Sequence, residues 1–137
     1  MTRTWGKTLL GALSLGAALV TGSAVDARPR LTPQQQLDKL LAGRVAGKPV
    51  SCISLFDSNN TQIIDKTAIV YGSGRTLYVN RPNNADSLDQ DDILVTKIRG
   101  SSQLCRLDVV NLRDRTSRAY SGFVGLNDFV PYTRVKN

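Results

Sequence analysis

The stretch Gln62-Ile63-Ile64-Asp65-Lys66-Thr67-Ala68-Ile69-Val70-Tyr71, followed by Gly72-Ser73-Gly74 and then Thr76-Leu77-Tyr78-Val79-Asn80, decides the fold class. The runs flanking the glycines are rich in Ile, Val, Thr and Tyr, which suit a pleated, half-buried surface. Glycine reaches positive φ without steric cost, so Gly72-Ser73-Gly74 predicts a hairpin between two strands, 62–71 and 76–80. Runs of the same character recur at 50–55, 93–99, 104–113, 118–124 and 128–132, separated by Gly, Asn, Asp or Pro. Seven short strands within residues 50–137 predict a mainly β, small α+β domain with a curved or barrel-like antiparallel sheet.

Upstream, the period changes. Thr32 can cap a helix, Pro33 suits its first position and Gln35 completes a capping box. Leu37, Leu40 and Leu41 then share one helical face and Gly43 supplies the stop, which predicts a short N-terminal amphipathic helix over 33–42. The leucines read as a packing stripe, because the polar side lacks the several Lys/Arg of a membrane-surface helix.

Further out lies a leader. Arg3 and Lys7 precede an uncharged run of 15 residues, 8–22, which contains three glycines and exits through small residues up to Ala24 or Ala27. A basic start, a short apolar middle and a small-residue exit describe a secretory signal peptide over 1–27. A membrane-spanning helix needs roughly 20 apolar residues, and no cysteine follows either cleavage position to carry a lipid. The chain therefore divides into the leader 1–27, a polar segment with the helix at 28–49, and a β-rich domain at 50–137. The predicted location is exported, periplasmic or secreted, with no transmembrane segment once the leader is removed.

Export gives Cys52 and Cys105, the only two cysteines, a first reading as one structural disulfide. Both lie in strand-like surroundings rather than the helix-start or Cys-x-x-Cys setting of a reactive thiol.

The chain carries 18 Lys+Arg against 11 acidic residues, every one of them Asp, and no His. Loss of Arg3, Lys7 and Asp26 with the leader leaves 16 basic and 10 acidic side chains, a net charge of +6. Such a balance favours an anionic envelope component or an acidic protein as partner. Nucleic acid is disfavoured, because the densest basic cluster, Arg113-Asp114-Arg115-Thr116-Ser117-Arg118, holds no aromatic residue for base stacking. The missing His removes Ser/His/Asp and Cys/His nucleophile systems and His-containing zinc sites.

Several patterns invite chemistry and fall short of it. Gly43-Arg44-Val45-Ala46-Gly47-Lys48 has three residues between its glycines and Pro49 after the lysine, so it reads as a connector, not a phosphate loop. Asp86, Asp89, Asp91 and Asp92 crowd the loop 83–92 without EF-hand spacing, which reads as a solvated acidic loop. Asp91 or Asp92 with Asp108 is the carboxylate pair an Asp-dependent hydrolase would need. Tyr71, Tyr78, Tyr120, Phe123, Phe129 and Tyr132 would line a pocket in a small barrel, or form its core and rim. Arg75, Arg81, Arg99, Arg113, Arg115 and Arg118 are the candidate anion or ligand contacts. No residue qualifies as catalytic or metal-ligating, and no cofactor is implied.

Four segments carry a resemblance: Leu41-Ala42-Gly43-Arg44, Cys52-Ile53-Ser54-Leu55, Gln103-Leu104-Cys105-Arg106-Leu107-Asp108, and Gly125-Leu126-Asn127-Asp128-Phe129-Val130-Pro131-Tyr132. In order and spacing they resemble a family of small exported bacterial proteins classed only as a domain of unknown function. Members of that family carry two further cysteines, one in the loop matching 83–92 and one before the Phe-Val-Pro-Tyr segment. This chain lacks both, as it would after losing one complete bridge, and the resemblance thus implies that Cys52 and Cys105 form the surviving one. It implies no activity.

The functional expectation is an exported, non-catalytic binding or structural module of the cell envelope. The alternatives are an Asp-dependent hydrolase and a secreted inhibitor of an acidic enzyme.

Overall fold

Thr32 starts the helix as its sequence predicts. In the computed structural model, which describes residues 29–98 and 100–136, the Gln35 N–H donates to Thr32 Oγ1 at 3.2 Å and the Thr32 N–H donates to Gln35 Oε1 at 2.9 Å. This reciprocal box satisfies two amides that a helix start leaves without partners. Helix α1 spans Pro33–Leu41; Leu37 is fully buried, with Leu40 and Leu41 half-buried beside it. Gly43, at φ +73°, turns the chain out of the helix.

Ten strands follow: β1 (Arg44–Ala46), β2 (Cys52–Ser54), β3 (Thr61–Ile64), β4 (Ala68–Tyr71), β5 (Thr76–Asn80), β6 (Asp92–Thr96), β7 (Gln103–Cys105), β8 (Val109–Asp114), β9 (Tyr120–Gly125) and β10 (Phe129–Arg134). They form a five-stranded sheet in the order β1-β10-β5-β4-β3, a ribbon β2-β7, and a three-stranded sheet β6-β8-β9, all antiparallel. The mainly β character with one short helix is as expected. The barrel is not: the sheets stay separate, with β3 ending one and β6 ending another.

Two turns also divide runs expected as single strands. The run 62–71, read as one strand, is the hairpin β3–β4, reversed at Asp65-Lys66-Thr67 with Lys66 at φ 49°. The run 104–113 is likewise β7 and then β8, divided by a turn in which Leu107 sits at φ 73°. Left-handed backbone is disfavoured for both side chains, so neither residue announces a turn. Strand β1 lies in the segment expected to hold only leader and helix; it pairs with β10, Val45 opposite Thr133.

The five-stranded sheet is covered on both faces. Strand β4 is buried throughout, its side chains alternating between two cores as the pleat requires. Ala68 and Val70 join Leu77, Val79 and Ile64 under Leu37 of α1. Ile69 and Tyr71 point the other way, toward Ile53 and Leu104 of the ribbon and Val110, Leu112 and Val124 of the three-stranded sheet. Phe129 completes this larger core, its ring edge-on to Tyr71 at 5.7 Å between centroids.

Two devices tie the layers together. Cys52 and Cys105 stand opposite each other in the β2–β7 ladder, 4.0 Å apart at Cα, and are joined as a disulfide. A clamp of asparagines holds the end of β5 and the chain after it to the turn before β10 and to the end of β9. Buried Asn80 donates through Nδ2 to the Asn127 carbonyl at 2.6 Å and accepts from the Asn127 N–H at 3.1 Å. Asn84 donates to the Phe123 carbonyl at 2.7 Å and accepts from the Gly125 N–H at 3.0 Å.

Candidate functional site

The β6-β8-β9 sheet presents one face to the larger core and the other to solvent. Register fixes what the outer face carries: Val95, Asn111 and Phe123 form one row, and Ile93, Arg113 and Tyr120 the next. Val109 and Lys97 extend the same face toward Leu107. Large apolar side chains are unusually open here: Leu107 is 73% exposed, Tyr120 59%, Phe123 52% and Val109 50%. Ser121 is the extra residue of a bulge opposite Arg113, and its hydroxyl donates to Asp92 Oδ1 at 2.8 Å. The bulge thus places Tyr120, rather than Ser121, beside Arg113 on the open face.

The candidate arginines do not converge on one site. Arg113, Arg115 and Arg118 are exposed together on the β8–β9 hairpin, where Arg113 Nη1 donates to the Arg118 carbonyl at 3.0 Å. Asp114, between them, accepts from the Ser117 N–H at 2.6 Å, the Ser117 hydroxyl at 2.8 Å and the Thr116 N–H at 3.0 Å. The bonds from Ser117, backbone first and hydroxyl second, hold its carboxyl below the ordinary value. Its charge is thereby spent on the turn. Arg75 stands apart on the β4–β5 hairpin, and Arg81 beside Asn127 and Asp128. Arg99 lies outside the described residues, as does the expected leader 1–27. Among the described residues none of Arg75, Arg81, Arg113, Arg115 and Arg118 enters an ion pair; the pair found is Arg106–Asp128 at 3.6 Å.

The carboxylates separate in the same way. Asp92 stands opposite Asp114 at one end of the β6–β8 ladder, whereas Asp108 precedes Val109 at the other. Six residue steps of about 3.3 Å lie between positions 108 and 114, on the order of 20 Å, too far for a pair that must work within about 9.5 Å. Asp108 Oδ2 instead accepts from the Cys105 N–H at 2.7 Å, closing the turn at Leu107. In the acidic loop Asp89 Oδ1 accepts from the Asp91 N–H at 2.9 Å, and no group of three ligating side chains forms among the described residues. The structure thus places the two carboxylates apart, Asp108 in the turn at Leu107 and Asp92 at the start of β6, where it accepts from Ser121.

The aromatic residues do not share a pocket either. Tyr71 and Phe129 are core, Tyr78 and Tyr132 lie on opposite faces of the five-stranded sheet, and Tyr120 and Phe123 face solvent. The connector 43–48 has a role that sequence does not reveal. Arg44 Nη1 and Nη2 donate to the carbonyls of Arg75 and Gly74 at 2.6 and 2.8 Å, gripping the β4–β5 hairpin.

Sequence reading also missed a cleft. Its outer part, about 830 Å³, is polar and runs between β3 and β6, with Asp91 and Arg115 at its mouth. An adjoining inner compartment of about 240 Å³ shares Ser58, Thr61 and Leu94 with it and is also lined by Tyr71, Leu104 and Ile98. The Tyr71 hydroxyl is buried with no hydrogen-bond partner among the described residues, and burial pushes its phenol well above the ordinary range.

No helix among the described residues is long and apolar enough to cross a membrane. No protein-family model, curated protein or solved structure matches the chain.

Proposed function

We propose that this chain is an exported, non-catalytic binding module of the cell envelope, and that it docks an anionic partner on the outer face of β6-β8-β9. The observation carrying this reading is the exposure of Leu107, Val109, Tyr120 and Phe123 around Arg113 and Lys97 on one sheet face. Contiguous exposed apolar surface marks contact sites, and aromatic and arginine side chains dominate the energetics of such contacts. The disulfide accords with an oxidising compartment, as do the basic, apolar and small-residue regions of 1–27. Kinship with the family of small exported proteins named above belongs to the same proposal.

The test is retention of cell-envelope components on the immobilised, oxidised protein through a salt series. Electrostatic attraction between exposed charges is screened beyond about 10 Å at 0.1 M salt, so a partner held by Arg113 and Lys97 washes off as salt rises. The variants Arg113→Ser and Phe123→Ser should each lose it at low salt. Retention equal to wild type in both would remove the face from consideration.

One observation favours the inhibitor alternative as a second reading. Leu107 projects from a turn anchored on one side by the disulfide and on the other by Asp108, the rigid presentation an inserted side chain needs. Loss of binding in Leu107→Gly with Phe123→Ser unaffected would favour that reading over the sheet face.

A further inference from the structure

The cleft is bounded by two strand edges that lack partners. The Gly72 N–H donates to the Asn60 carbonyl at 2.8 Å, which makes 62/70 and 64/68 the hydrogen-bonded pairs of β3 with β4. The backbone groups of Thr61 and Ile63 therefore face away from β4. On the other side, the Arg115 N–H donates to the Asp91 carbonyl at 3.2 Å, so 93/113 and 95/111 are bonded and Leu94 and Thr96 turn outward. Among the described residues no backbone group meets these four. Consecutive residues of both strands line the cleft, 61–63 and 92–94, although their side chains alternate in direction. The walls are thus the edges themselves.

We propose that this cleft takes an extended segment of a partner polypeptide, which adds as a strand along β3 and β6 and places one side chain in the inner compartment beside Tyr71. An open edge binds main chain, and a pocket under it selects a side chain. Asp91 and Arg115 at the mouth offer both signs of charge, which complements a peptide of low net charge rather than a polyanion. Because both walls are sheet edges, the incoming strand arrives without a sheet of its own, which excludes a folded second copy. The inner compartment, lined by Leu55, Leu94, Ile98 and Leu104 beside Tyr71, takes an apolar side chain. This site is separate from the outer face, so either can fail alone.

The test is selection from a phage-displayed random heptapeptide library on the oxidised protein, followed by amide exchange with a synthetic copy of the selected peptide. Selected peptides should protect the amides of Thr61, Ile63, Leu94 and Thr96. Thr61→Trp, whose ring fills the inner compartment from an exposed position, should abolish binding. No enrichment over the unselected library, unprotected amides in the complex, or unaltered binding by Thr61→Trp overturns the proposal.

Discussion

Leu107 and Tyr71 have surroundings that contradict their chemistry. Leu107 combines left-handed backbone with 73% exposure, so its side chain gains little from folding while its backbone is strained. A left-handed conformation disfavours a non-glycine residue by about 1–2 kcal/mol, partly offset in Leu107→Gly by the entropy of glycine. That variant should stabilise the protein by about 1 kcal/mol in urea unfolding; a loss of stability would mean that Leu107 packs against something. Tyr71 buries a hydroxyl without a partner. Tyr71→Phe removes the uncompensated desolvation and should gain about 1 kcal/mol. Its phenol also sets a pH dependence. Below the ordinary tyrosine pKa of about 10 the group is neutral whether folded or unfolded and stability does not depend on it. As pH rises above that value the unfolded chain ionises and the folded chain does not, so stability falls. In Tyr71→Phe the decline should be shallower, as alkaline denaturation followed by circular dichroism will show.

At the scale of elements, the sheet edges differ in how they are covered. Asn84 lies along β9 as a single-residue substitute for a strand, taking the Phe123 carbonyl and the Gly125 N–H. Asn84→Ala exposes both groups and loses two hydrogen bonds, an expected cost of about 2 kcal/mol, with faster amide exchange at Gly125 as its local signature. Edges β3 and β6 have no such cover. Elements also differ in how far sequence discloses them. Helix α1 was legible to within a residue because its capping box is a contact between neighbours, Thr32 and Gln35. Strand β5 matched its expected bounds, since the glycines before it are the turn. The division of 62–71 and of 104–113 was hidden by Lys66 and Leu107, which occupy positions where glycine would be the signal. Strand β1 was invisible because three residues between two glycines carry no period of their own; β10 makes them a strand.

For the whole molecule, the number of sheets and their separation were not legible, because they depend on the long-range asparagine clamp and on which edges meet. The cysteine pairing was. Closing 53 residues of chain between Cys52 and Cys105 removes roughly 4 kcal/mol of unfolded-state freedom in the chain-entropy model. That is a large share of a net stability of about 5–15 kcal/mol. Cys52→Ala/Cys105→Ala should lower stability by about that amount, and an unchanged urea midpoint would assign the bond a role other than stability. The candidate contacts were legible only as residue types. Arginine content predicts an anionic partner, but only the ladder register gathers Arg113 with Tyr120 and Phe123 while leaving Arg75 and Arg81 elsewhere.

The most direct test of binding through the outer sheet is an NMR footprint on the isotope-labelled, oxidised protein, titrated with the envelope fraction it retains at low salt. Shifts confined to Val95, Val109, Asn111, Arg113, Tyr120 and Phe123, and reversed by salt, are the expected result. A footprint on α1 or β1, with this face unchanged, would contradict it.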